Sequence, residues 1–201
     1  ITTVGDKMKN ILHRKDRLII TTLDVIDEIG ITNLSTREIA AREGVSEATL
    51  FRHYKNKNDL LLAVLDYYTQ FDNDLYQTTL LKKLSPLDSI IFLINSLAEF
   101  YENYPAITVI TQLMDTLRYE PELEEKVRSI VFQRSQFLEN LIDEAKKCNE
   151  IKVDTDTEVM ADIISGTFRE ICLKWRLNRN FSLKERINLA LNSILTSLGC
   201  N

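Results

Sequence analysis

Apolar residues in this chain return at steps of three and four almost from end to end, the period of a helix buried on one face. Ile19, Leu23, Ile26 and Ile29 keep that step across residues 14–29, and Gly30 is the stop signal after them. The next stretch is shorter and more punctuated. Ser35 and Glu38 have capping-box spacing, in which the serine oxygen takes a free backbone N–H and the glutamate reaches back. Ile39 and Ala40 supply an inner face, and Gly44 can close the helix in the left-handed conformation without a Cβ clash. Val45 fills the corner, and Ser46 is placed to cap a second short helix that turns Leu50 inward. Leu34, Ile39, Val45 and Leu50 then share a small three-helix core. Two short helices joined by a glycine turn make a helix-turn-helix, a motif whose second helix enters the major groove.

The pattern beyond it predicts helices and no convincing strand. Polar caps and an early acid at residues 56–59 open a helix running through Leu60, Leu61, Val64, Leu65, Tyr68 and Phe71 to about Leu81. Ser85-Pro86 starts another, with proline at its favoured first position, and it ends ahead of Pro105. A shorter helix is expected over 106–117 and a long one over 122–148, with Leu123, Val127, Ile130, Phe137, Leu141 and Ala145 facing inward. Residues 149–154 read as a polar connection. Across 155–177 apolar residues fall on more than one side, so that helix must be buried on several sides. A last helix over 182–198 places Ile187, Leu191, Ile194 and Leu198 at helical spacing. The expected fold is all-α, with about nine helices.

Composition changes this picture little. The 201 residues are 44% hydrophobic and 27% charged, which suits a globular chain with a real core. Three cysteines (Cys148, Cys172 and Cys200) form no metal-ligand spacing, and no apolar run approaches the ~18 residues of a membrane span. No signal peptide is visible, so a cytoplasmic protein is expected. The chain opens at Ile1, and Met8 is a candidate natural start. Charge changes the picture more. The net charge is −5, yet residues 1–57 carry +2 and residues 58–201 carry −7. Lys7, Lys9, Arg14, Lys15 and Arg17, then Arg52, Lys55 and Lys57, bring positive charge to the end that holds the motif.

With those residues in place, the chain resembles the TetR family of one-component bacterial transcriptional regulators. The resemblance rests on Ser35-Thr36-Arg37-Glu38-Ile39-Ala40, Gly44-Val45-Ser46, Thr49-Leu50-Phe51-Arg52-His53-Tyr54, and Asn56-Lys57 leading into Leu60-Leu61. It implies an N-terminal three-helix DNA-binding domain over 1–57, with the helix-turn-helix at 35–54. A C-terminal effector-binding and dimerisation domain over 58–201 follows. Thr36 and Arg37 would meet the DNA backbone, Thr49, His53 and Lys57 would contact phosphates, and Ser46, which caps the reader helix, belongs to the same DNA-binding set. Glu47, Ala48 and Arg52 are candidates for base edges, with Arg52 placed for either a guanine or a phosphate. Phe51 stands where the family usually has tyrosine, Ala48 where glycine is frequent, and Glu43 where alanine is frequent. Phe51 and Tyr54 are expected in the core.

The resemblance also implies a mainly apolar effector cavity among the middle helices. Its expected lining is Phe71, Phe92, Asn95, Glu99, Phe100, Thr111, Gln112, Asp115, Arg118 and Phe168, although aromatic side chains at this spacing also serve plain core packing. A hydrophobic or amphipathic small molecule is the expected effector. The last two helices suggest an intermolecular four-helix bundle through Ile163, Gly166, Ile171, Trp175, Ile187, Leu191, Ile194 and Leu198, since a reader of paired half-sites requires symmetry. The partners are then double-stranded DNA with a palindromic operator, the effector and a second copy of the chain. No membrane, cofactor or metal is expected.

An enzyme has few places to put its chemistry here. His13 and His53 are the only histidines, and neither follows a glutamate by three residues as di-iron bundles require. There is no G-x-S-x-G, no phosphate-cradling glycine loop and no His-Glu-x-x-His. A helical adaptor acting through protein partners is the other reading, and it leaves the helix-turn-helix unexplained.

Overall fold

Side-chain oxygens start most of the helices. Ser35 accepts the Glu38 N–H, Ser46 that of Thr49, Asn56 that of Asp59, Ser85 that of Asp88 and Asp156 that of Val159. Each satisfies a donor that the first turn of a helix leaves free. The computed structural model describes residues 13–152, 154 and 156–197, and among these it has nine α-helices and no strand. They are α1 (Arg14–Ile29), α2 (Thr36–Glu43), α3 (Glu47–His53), α4 (Lys57–Leu81), α5 (Pro86–Asn103), α6 (Thr108–Leu117), α7 (Pro121–Lys147), α8 (Thr157–Leu177) and α9 (Leu183–Ser197). Single turns of 3₁₀ helix lie at Ile31–Asn33 and Pro105–Ile107.

Gly44 ends α2 at φ 69°, a left-handed conformation that an L side chain enters only with strain. The reciprocal half of the capping box is absent. Glu38 instead accepts from Arg42 Nε at 2.7 Å, one turn further along α2. The small core closes over Leu23, Ile26, Leu34, Ile39 and Leu50, while Ile29 at the end of α1 is left exposed. Tyr54 is buried and donates its hydroxyl to the Lys15 carbonyl at 3.0 Å, pinning the end of the helix-turn-helix to the start of α1. Glu43 makes a second pin. Its carboxylate, 7% exposed, pairs with Arg17 at 2.7 Å and accepts from Thr21 at 3.0 Å. The departure from alanine at this position therefore locks α2 to α1.

α4 packs on α1, α5 and α7, so one continuous helix leads from the helix-turn-helix into the remaining bundle. α7 lies against α4, α5, α6 and α8, and α9 covers α5 and α8. The connection after α7 is less polar than its sequence suggests, because Ile151 is buried. The Pro105–Ile107 turn and α6 both touch α1. At that junction Arg176 of α8 pairs with Asp27 of α1 at 2.6 Å and donates to Thr108 of α6 at 2.8 Å.

Candidate functional site

The helix-turn-helix presents one face to solvent. Arg37, Ala48, Phe51 and Arg52 are exposed, and Thr36, Glu47, Thr49, His53 and Lys57 are half-buried around them. Thr36 donates to Glu47 at 2.7 Å, joining the starts of α2 and α3, and the Ser46 and Thr49 hydroxyls lie 3.0 Å apart. These contacts occupy the short polar groups with one another. Arg37, Arg52 and Lys57 form no ion pair among the described residues, so their charge is available to an anionic partner. Ser46 is exposed at the cap of α3. Phe51 corrects the sequence expectation, being 46% exposed. Leu50 and Tyr54, four apart, already form the inward stripe of α3, and the next residue round the helix faces out. The outward face thus combines an aromatic ring and a methyl group with a free arginine.

A cavity of about 470 Å³ lies within the bundle, in the range of small-molecule sites. Its wall is mainly apolar, with Leu93, Ile94 and Leu97 of α5, Met114 of α6, Ile130 and Leu138 of α7, and Phe168 of α8. Thr111, Ser135, Ser165 and Gly166 add small groups. Val131, Asp162, Ser165 and Arg169 are lining residues that also reach solvent, which places the mouth between α7 and α8.

One polar cluster interrupts that wall. Arg134 of α7 donates Nε and Nη2 to the Asp72 carboxylate of α4 at 2.9 and 2.7 Å, and Nη2 also reaches the Tyr101 hydroxyl at 3.0 Å. The Tyr101 and Tyr68 hydroxyls are 2.8 Å apart, and the guanidinium stands 4.9 Å from the centre of the Tyr68 ring. Burial pulls the guanidinium towards its neutral form, but Tyr101, Tyr68 and Asp72 outweigh that and hold it charged. Burial also pushes Tyr101 up to about 12, against Arg134, so the phenol stays protonated as a donor.

The cavity redraws the expected lining. Thr111 and Phe168 are in its wall, whereas Phe71, Phe92, Asn95, Glu99, Phe100, Gln112, Asp115 and Arg118 are not. Phe71 and Phe100 stack on each other at 3.6 Å, and Phe92 lies under the Lys82 ammonium. Glu99 pairs with Lys184 and Asp115 with Arg118 on the surface, and Gln112 donates to Thr111. Asn95 is half-buried away from the wall. Arg134 and Tyr76, which line the cavity, and Asp72, which pairs with Arg134, were not among the expected residues. The signal for Asp72 was a lone acid on the buried stripe that Tyr68, Leu75 and Thr79 form on one helix.

The residues expected at the interface divide between the chain's own core and its surface. Trp175, Ile187 and Leu191 are buried within the chain, Trp175 donating its indole N–H to the Phe181 carbonyl at 3.1 Å. Ile171 and Ile194 are half-buried where α8 meets α9, and Leu198 lies outside the described residues. Periodicity identifies an apolar face but not the neighbour that covers it, and here α5 takes most of it. Ile163 remains exposed, with Gly166 half-buried one turn on. They belong to a different stripe of α8, formed by Val159, Ile163, Gly166, Glu170, Leu173 and Leu177 at alternating steps of four and three.

Among the described residues no three histidine, cysteine or acidic side chains converge as metal ligands, and no helix is long and apolar enough to cross a membrane. Burial pushes the Cys172 thiol up to about 12, against the pull of Arg134 and Arg176, so it stays unreactive. The architecture is that of a ligand-responsive regulator, with a DNA-reading helix-turn-helix on a helical body that encloses a small-molecule cavity. Comparison with known proteins names the family. Residues 18–64 match the model of bacterial regulatory proteins of the tetR family, and residues 69–197 match that of the YsiA-like protein C-terminal region. The chain belongs to the TetR family and is a DNA-binding transcriptional regulator, not an enzyme.

Among its relatives is the fatty acid metabolism regulator protein of Bacillus subtilis, 21% identical over 183 residues that cover 90% of this chain and 94% of the relative. Among solved structures, FadR of Bacillus subtilis in complex with stearoyl-CoA has a TM-score of 0.79 at 23% identity, covering 91% of this chain and 98% of that one. FadR of Thermus thermophilus in complex with lauroyl-CoA has a TM-score of 0.60 at 18% identity, covering 90% and 93%.

Proposed function

We propose that this regulator is a cytoplasmic repressor, that it binds a palindromic operator as a homodimer, and that an acyl-CoA thioester releases it. DNA reading falls to residues up to about 57, through Thr36, Arg37, Ser46, Glu47, Ala48, Thr49, Arg52, His53 and Lys57, and effector binding to the rest. The observation that carries the effector class is the apolar cavity with its mouth between α7 and α8. It suits an acyl chain inside and a large polar carrier outside, where the exposed Arg169 offers a cation to phosphates. The acyl-CoA complexes of two fold neighbours support the same choice.

Release requires that ligand favour one of two arrangements, since equal affinity for both would shift nothing. α6 and α8 are placed to transmit that preference. Both line the cavity, and both meet α1 at the Arg176, Asp27 and Thr108 junction. For the dimer, the α8 stripe has the four-three spacing of a helix-pairing seam. A Cβ added at Gly166 meets nothing within 4 Å, so no contact inside the chain calls for glycine at that point of the seam. Leu173 and Leu177 extend it, and Leu189 of α9 is a further exposed apolar residue.

Selection from random duplexes at low salt tests operator and symmetry together. The wild type recovers an inverted repeat with half-sites one or more helical turns apart. Ile163→Asp, at an exposed position the monomer does not need, sediments as a monomer and loses the repeat. Recovery of unrelated sequences contradicts the operator, and an unchanged dimer in Ile163→Asp moves the interface elsewhere.

A further inference from the structure

The polar cluster in the cavity is more than a structural ion pair, because it leaves one donor idle. The Tyr76 hydroxyl lines the cavity, is buried and makes no well-formed hydrogen bond; Arg134 beside it can only donate to its oxygen, so its own O–H has no acceptor. Its ring is held in place by stacking on Phe137 at 4.2 Å and 20°, so the hydroxyl is aimed before any ligand arrives. Beside it, Arg134 spends Nε and Nη2 on Asp72 and Tyr101, and Nη1 takes part in none of those bonds. A buried hydroxyl without a partner is costly, and natural interiors rarely keep one without use.

We propose that Tyr76 donates to the carbonyl oxygen of an uncharged acyl derivative, with the Arg134 guanidinium turned towards the same oxygen. The inference rests on the acyl-thioester reading above and adds which atom of the effector is recognised. Charge balance selects a neutral acceptor over a carboxylate. Asp72 already neutralises Arg134, so a free fatty acid would carry an uncompensated negative charge into an apolar site. A thioester carbonyl brings lone pairs and no charge. A chain without the carbonyl leaves the Tyr76 hydroxyl as idle as before.

Three probes of one chain length separate these cases: dodecanoyl-CoA, the S-dodecyl-CoA thioether and dodecanoate, each titrated against the full chain. The wild type binds the thioester about tenfold more tightly than the thioether, the effect of one well-made hydrogen bond in a dry site. Dodecanoate binds more weakly than the thioester. In Tyr76→Phe, which keeps the ring and its stacking, the thioester loses that advantage and thioether affinity is unchanged. Equal binding of thioester and thioether by the wild type overturns this inference alone, as does tightest binding by dodecanoate. A preference that survives intact in Tyr76→Phe removes Tyr76 from the role. Failure of all three probes to bind overturns the acyl-CoA reading itself, and this inference with it.

Discussion

Asp72→Ala will lower the stability of the protein by about 3–5 kcal/mol, read as a fall in the urea midpoint with the slope unchanged. The Asp72 side chain is 5% exposed and that of Arg134 26%, so both ends of the pair are largely withdrawn from water. Removing one end leaves a charge with no partner in an apolar wall, and Tyr101 can offer it only a neutral oxygen. Against a typical stability of about 5–15 kcal/mol, that is a large share. The remedy distinguishes pairing from packing. Asp72→Leu combined with Arg134→Met removes both charges and recovers most of the loss, because a well-packed apolar pair often equals a buried ion pair. A loss below about 1 kcal/mol in Asp72→Ala would mean that water reaches the pair and screens it.

The second large effect concerns DNA and divides two arginine and lysine roles. Arg52→Ala will flatten base preference at one position of each half-site, a loss of about 1–3 kcal/mol there. Arg52 is exposed, has no ion-pair partner among the described residues and stands next to Phe51 on the outward face of α3, where a planar guanidinium can meet a base edge. Lys57→Ala will weaken all duplexes alike and reduce the salt slope by about 1, since Lys57 sits at the first position of α4 without an ion-pair partner among the described residues. Selection profiles and salt titrations read the two effects separately. Identical losses from both variants, uniform across sequences, would place Arg52 on a phosphate.

Helix ends were legible because caps are local. Ser35, Ser46, Asn56 and Ser85 each satisfy a donor three residues away, and Gly44 carries its own backbone preference. The helix-turn-helix was legible for the same reason. Phe51 was misplaced because hydrophobicity alone does not say which of two adjacent apolar residues takes the inner stripe, and Leu50 occupies it. The cavity was less legible still. Its defining pair joins residues 62 apart in sequence, and nothing local to either announces the other. The last two helices were misjudged in the opposite direction. Ile187 and Leu191 had the right period, but that period serves α5 in the same chain, and the stripe that stays exposed runs through Val159 and Leu177.

Reciprocal titration tests the link between the two ends of the molecule most directly. Operator affinity is measured with and without saturating lauroyl-CoA, and lauroyl-CoA affinity with and without operator. Each ligand is expected to weaken the other by the same factor, about 5- to 150-fold, because one coupling free energy governs both. Operator affinity unchanged by lauroyl-CoA, with the thioester nonetheless bound in the cavity, would contradict it.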